Sequence, residues 1–242
     1  MHADHLVAHR GWRQRYPENT LPAVEGALRA GARHIEIDVQ LTLDEQPVLF
    51  HDRTLRRICR QRGAIHHYRY EQLREFSAYE PDRFGERFLG TAIAHLRDLV
   101  ALFENFPAAH LFLEVKNTAA LRFGNAAVYA ALLPVIEAIR ARCTLISFAH
   151  DFLRYAAEQG WPRVGPVLND WSEIDSAETA ALSPAVVFCA VEQLPRDRDL
   201  HAIPYPIVVY EVQQSEAAAA LLARGVAKVE TFLVGELLEN AQ

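Results

Sequence analysis

Short apolar runs, each ending on or beside a reactive side chain, recur along the sequence. Leu6-Val7-Ala8 reads as a buried strand that hands over to His9-Arg10-Gly11. In His34-Ile35-Glu36-Ile37-Asp38-Val39 polar and apolar residues alternate, so Glu36 and Asp38 project to one side of a strand whose other side is apolar. Pro47-Val48-Leu49-Phe50 ends on His51-Asp52, and Leu111-Phe112-Leu113-Glu114-Val115-Lys116 places Glu114 and Lys116 on a shared face. Further strands are predicted at 144–148, 164–168, 186–191, 207–212 and 227–230. Between them lie helical patterns. Leu21, Val24, Ala27 and Leu28 mark a helix over 20–31, and Leu96, Leu99, Val100 and Phe103 mark another over 96–106. A long helix is predicted over 126–142, with others starting near Ser172, Pro195, Ser215 and Val234. About eight strands alternating with helices predict an α/β fold, a (β/α)8 TIM barrel. The rhythm stops between Asp52 and about His95, which predicts a small insertion after the second strand region, at about 53–95, inside a single barrel domain covering 1–242. Its aromatic and turn-rich stretch, Tyr79-Glu80-Pro81-Asp82-Arg83-Phe84-Gly85, suits a cover over the barrel mouth.

The 242 residues match the length of one barrel, and 50% hydrophobic with 23% charged residues suits a globular chain with a full core. A net charge of −6 argues against general nucleic-acid binding, which needs basic surface to displace phosphate counterions. Arg53, Arg56, Arg57, Arg60 and Arg62 nevertheless fall in a stretch without acidic residues. They read first as a solvated helical face and second as a cluster steering an anion toward His51. The N-terminus lacks the pattern of a signal peptide and no apolar run reaches membrane-spanning length, so a cytoplasmic location without stable membrane association is expected. Cys59, Cys143 and Cys189 are odd in number and widely spaced, which fits idle thiols better than a disulfide framework.

The chemistry enters where carboxylates crowd a strand. Glu36 beside Asp38 repel each other and resist desolvation, and a cation relieves both costs. With Glu114 they form an all-oxygen donor set of the kind that takes a hard cation, Mg²⁺ or Ca²⁺, rather than zinc or copper. His9 and His51 both stand at strand ends, and the imidazole group in general titrates near neutrality, which suits proton transfer.

His9-Arg10-Gly11, Pro17-Glu18-Asn19-Thr20, Glu36-x-Asp38 and His51-Asp52 stand in order, and together they resemble the N-terminal signature of the glycerophosphodiester phosphodiesterase family. Glu114-x-Lys116 and Ser147-Phe148 extend the resemblance. It implies metal-dependent hydrolysis of a small glycerophosphodiester to an alcohol and glycerol 3-phosphate. It further implies a divalent metal on Glu36, Asp38 and Glu114, acid/base roles for His9 and His51 in either order, and phosphate contacts from Arg10 and Lys116. Glu18 and Asn19 would orient these groups, although Asn19 equally suits a helix cap. The nucleophile is left open between water and the glycerol 2-hydroxyl. The second half departs from the family pattern twice. Tyr210-Glu211-Val212-Gln213 stands where many members have tryptophan-threonine-x-asparagine, and Thr231-Phe232-Leu233 stands where many have threonine-aspartate. Tyr210 still offers an aromatic wall at the substrate rim. Competing readings are a lysophospholipase D-like lipid phosphodiesterase in the same superfamily, a catalytically idle metal- or ligand-binding barrel, and, least in keeping with the charge, a metal-dependent nuclease.

Overall fold

Nine strands carry the chain around a barrel: β1 (Leu6–His9), β2 (His34–Leu41), β3 (Pro47–Leu49), β4 (His110–Val115), β5 (Cys143–Ser147), β6 (Val164–Pro166), β7 (Val187–Ala190), β8 (Ile207–Tyr210) and β9 (Lys228–Thr231). The computed structural model describes residues 1–239, so the last three residues of the expected 1–242 span lie outside it. Eight strands run parallel in the order β6-β5-β4-β2-β1-β9-β8-β7. A single parallel bridge between Val167 and Phe188 brings the two ends together. The result is the expected eight-stranded barrel, nearly closed.

Side-chain alternation sorts the strands into an inside and an outside. Leu6, Ala8, Ile35, Ile37, Leu111 and Leu113 point outward into the main core beneath the helices. Val7, Phe112, Ile146, Val167, Phe188 and Val208 fill the barrel interior. Polar interior residues flank that apolar plug on both sides. His34, His110 and Lys228 lie at the N-terminal ends of their strands, and His9, Asp38 and Glu114 lie nearer the C-terminal ends.

The third apolar run behaves differently from the other staves. β3 pairs antiparallel with β2 through Val39↔Leu49, Gln40↔Val48 and Leu41↔Pro47. β2 is eight residues long, so it overshoots its neighbours and its hairpin partner brings the chain back to the rim at His51. The insertion then builds a core of its own from Val48, Phe50, Leu55, Ile58, Ile65 and Leu73.

The helices depart from the sequence expectation in several places, among them an unanticipated helix at Asn117–Phe123. A helix at His150–Glu158 was not anticipated, although its buried Phe152, Leu153 and Ala156 recur at helical spacing. Near Pro195 only short 3₁₀ turns form, at Val191–Gln193 and Leu200–Ala202, in a stretch broken by prolines and charges. The helix expected over 126–142 is α-helical at Asn125–Ile136 and tightens to 3₁₀ at Glu137–Arg142. No single helix among the described residues is long and apolar enough to cross a membrane.

Phe188 is 1% exposed and meets Phe112 edge-to-face at 5.2 Å, so it anchors the plug beneath the mouth. Phe188→Ala should lower unfolding free energy by about 3–5 kcal/mol. Leu121→Ala, at a side chain 79% exposed, should stay within about 0.5 kcal/mol of wild type. Urea denaturation of the three proteins measures both, and equal midpoints would refute the packed-plug account.

Candidate active site

The site begins where β1 ends. His9 is 6% exposed, and after it Arg10 and Gly11 both take positive φ, 58° and 77°. The turn requires glycine at the second position because a Cβ there would meet the Ala23 backbone at 2.6 Å. Its geometry aims Arg10 back over the mouth. The Arg10 backbone N–H donates to Glu36 Oε2 (3.0 Å), its guanidinium donates to Glu18 Oε1 (2.9 Å), and Arg10 Nε lies 3.2 Å from Asp38 Oδ2.

Asn19 is also left-handed, with φ 55°. Its amide donates to Asp38 Oδ2 (2.8 Å), and its carbonyl oxygen accepts the Asp38 backbone N–H (2.9 Å). The capping of the next helix falls to Thr20, whose hydroxyl accepts from Ala23. Asn19 is thereby a clamp on Asp38.

Glu36, Asp38 and Glu114, on adjacent strands β2 and β4, offer oxygens within 4.8 Å of one another. All three are at most 9% exposed. Burial, then the neighbouring carboxylates, push Glu36 and Glu114 above the ordinary carboxylate range. Burial pushes Asp38 the same way, but Lys116 and Arg10 outweigh it and hold Asp38 below its ordinary value. Lys116 Nζ donates to Glu114 (2.6 Å) and lies 3.2 Å from Asp38. Glu36 Oε1 is buried without a hydrogen-bond partner. An orphaned carboxylate oxygen in an all-oxygen cluster is the feature expected of a cation site, so these residues fit one.

His51 is set by Gln40, the next inward-facing residue after Glu36 and Asp38. The Gln40 amide nitrogen lies within 3.1 Å of the carbonyl oxygens of Phe50, His51 and Asp52 and donates to all three. Asp52 Oδ1 lies 2.9 Å from His51 Nδ1 and is itself gripped by Arg57. Arg57 reaches further, to Glu18 at 2.6 Å and to Glu80 of the insertion at 3.3 Å. The arginine run is therefore not uniform. Arg53, Arg56, Arg60 and Arg62 are exposed as a solvated face would be, whereas Arg57 is drawn inward by three carboxylates.

His9, Arg10, Glu36, His51, Glu114 and Lys116 line a cavity of about 150 Å³ that also takes in Tyr210, Phe148 and Phe188. Ser147 is not part of it; its hydroxyl donates to the Val115 carbonyl. Four contributors were not anticipated. Glu230, 2% exposed on β9, forms a second cluster with His9 and Glu36, and burial with the Glu114 charge pushes its carboxyl well up. Glu211 Oε1 faces His9 Nδ1 at 3.2 Å. Phe232 stacks on the His9 ring, centroids 4.8 Å apart. Gln40 is the fourth. A lone acid in the short strand Lys228–Thr231 and the two-residue spacing of Gln40 were signals in the sequence; Glu211 and Phe232 stood out only as departures from the family pattern, with no sign that they face His9.

A family model described as the glycerophosphoryl diester phosphodiesterase family matches residues 9–231. A glycerophosphodiester phosphodiesterase of Bacillus altitudinis is 36% identical over 113 residues, covering 47% of this chain and 45% of the relative. Glycerophosphodiester phosphodiesterase 1 of Homo sapiens is 35% identical over 47% of this chain and 34% of its own length. The chain spans less than half the length of these curated relatives. Among solved structures, an Oleispira antarctica phosphodiesterase in complex with the product sn-glycerol-3-phosphate superposes with TM-score 0.84 at 23% identity, covering 98% of this chain and 96% of that one. A Thermotoga maritima glycerophosphodiester phosphodiesterase gives TM-score 0.73 at 22% identity over 99% of both chains. The chain belongs to the glycerophosphoryl diester phosphodiesterase family.

Proposed function

We propose that this chain hydrolyses small glycerophosphodiesters to an alcohol and glycerol 3-phosphate. The observation that carries the reading is the convergence of two histidines, two cations and a carboxylate cluster on one small cavity at the C-terminal mouth of the barrel. Family membership supplies the substrate class.

Glu36, Asp38 and Glu114 would hold a divalent cation, Mg²⁺ or Ca²⁺. When bound, that ion supplies Lewis-acid polarisation of a phosphoryl oxygen and offsets carboxylate repulsion. Arg10 and Lys116 add positive charge beside it, where negative charge grows as the phosphorus gains a fifth oxygen. Burial lowers His9 to about 4, so at neutral pH it is an uncharged imidazole able to take the proton of the attacking hydroxyl or water. His51 is more open, its side chain 31% exposed, and stands at the rim where a departing alcohol meets solvent. We assign it the proton that the leaving alkoxide needs. Glu18 and Asn19 orient Arg10 and Asp38, and Tyr210 forms an aromatic wall on the opposite side.

A small hydrophilic substrate is in keeping with the charged wall of the cavity, formed by His9, Arg10, Glu36, Glu114, Lys116 and Glu230. The same acidic chain gives no electrostatic footing for nucleic acid.

Release of glycerol 3-phosphate from glycerophosphocholine and glycerophosphoethanolamine should require Mg²⁺ or Ca²⁺ and stop with EDTA. His9→Ala and His51→Ala should each lower kcat by roughly 100- to 10,000-fold. No turnover of either substrate with any metal, alongside hydrolysis of a lysolipid, would move the chain to the lipid-acting class. Cation binding is checked separately by equilibrium dialysis. Glu36→Gln and Glu114→Gln should weaken retention of the ion by about 10-fold or more, and unchanged retention would place the ion elsewhere. Gln40→Leu leaves three carbonyls without their shared donor, so it should cost about 1–3 kcal/mol in stability. It should also lower kcat more than it raises KM, because His51 loses its anchor; an unaltered kcat would show that Gln40 only supports the hairpin.

A further inference from the structure

The two places where the chain departs from its family's pattern meet at one residue. Glu211 stands at the threonine of the tryptophan-threonine-x-asparagine element, and Phe232 at the aspartate of the threonine-aspartate element. They lie on different strand ends, after β8 and β9, and both touch His9. We propose that Glu211 and Phe232 are positioning residues for His9, fixing the ring so that Nδ1 faces the Glu211 carboxylate and Nε2 faces the cavity. The inference rests on the reading of His9 as a proton carrier.

The ring has few other contacts of this kind. Glu211 Oε1 is 3.2 Å from Nδ1, whereas Glu36 Oε2 is 3.7 Å from Nε2 and already accepts the Arg10 backbone N–H at 3.0 Å. A neutral imidazole carries one N–H and one lone pair, and a carboxylate can only accept. The Glu211 charge, 3.2 Å from Nδ1, therefore favours the proton on Nδ1 and leaves the Nε2 lone pair toward the substrate side. Burial raises the Glu211 carboxyl, but the His9 contact and the Arg10 and Arg13 charges outweigh it and keep the group ionised. Phe232 fixes the other degree of freedom. Its ring lies nearly parallel to the imidazole, 16° between planes, and Arg13 packs on the same ring at 4.2 Å from its centroid. A ring flip would carry Nδ1 away from Glu211 and expose the N–H to the cavity.

The test is the tautomer of His9, read from imidazole ¹⁵N shifts in the Mg²⁺-loaded protein and assigned with His9→Gln, together with steady-state kinetics on glycerophosphocholine. Wild type should show Nδ1–H. Glu211→Ala should lose that preference and lower kcat by roughly 10- to 100-fold with KM within about twofold. Glu211→Asp should restore part of both, which separates positioning from a folding defect. Phe232→Leu should lower kcat while the residual signal keeps the Nδ1–H form. A kcat for Glu211→Ala within about twofold of wild type, or a wild type in the Nε2–H form, overturns the proposal. If the wild type turns over no glycerophosphodiester, the proposed activity fails, and the tautomer alone decides whether Glu211 sets the ring.

Discussion

Carboxylates buried inside an apolar barrel set the terms for everything around them. Glu36, Asp38, Glu114 and Glu230 are at most 9% exposed and share a mouth with two inward-facing cations, Arg10 and Lys116. An unpaired buried charge costs several kcal/mol even after relaxation, comparable with much of a domain's net stability of roughly 5–15 kcal/mol. Local backbone is bent to meet that demand. Arg10 and Asn19 accept left-handed conformations that disfavour ordinary side chains, and both thereby reach Asp38. Positive charge falls short of negative there, and Glu36 Oε1 is left without a hydrogen-bond partner.

The counterions are also tied outward. Glu18, nearly fully buried, is shared by Arg10, Arg13 and Arg57, and Arg57 joins it to Asp52 and to Glu80. Glu80 belongs to the insertion, is 2% exposed, and also receives Arg83. Isolated surface pairs contribute little, but a network in which each acid has two or three donors avoids leaving any one of them unpaired. The insertion is thereby tied to the mouth. It supplies one end of the chain of contacts that runs through Arg57 and Asp52 to His51.

Much of this was legible because strand geometry converts spacing into direction. Glu36 with Asp38, and Glu114 with Lys116, had to share faces, and those faces proved to be the barrel interior. The role of β3 was harder to read, since an apolar run of three or four residues looks the same whether it forms a stave or a hairpin return. Arg57 was submerged in a run whose other members are exposed. Glu211 and Phe232 were beyond local reasoning, because their partner lies more than 200 positions away and nothing in their own neighbourhoods signals it. Long-range closure of β1 against β9 creates that environment.

The barrel is polarised by the same closure. His9, Glu36 with Asp38, Glu114 and Glu230 come from β1, β2, β4 and β9, four consecutive strands of the sheet. The facing wall is Ile146, Val167, Phe188 and Tyr210, from β5 through β8 and the loop beyond β6. Its weakest seam is there too, where a lone bridge joins Val167 to Phe188 while β2 and β4 are held by six registered pairs. Parting that seam wets apolar side chains at about 25 cal/mol per Å² and leaves the ion pairs of Arg10 and Lys116 at the mouth in place. Parting β1 from β2 or β9 instead would strip buried carboxylates of their partners. The charged wall is therefore the more tightly tied side of the barrel, and the apolar wall the less tied.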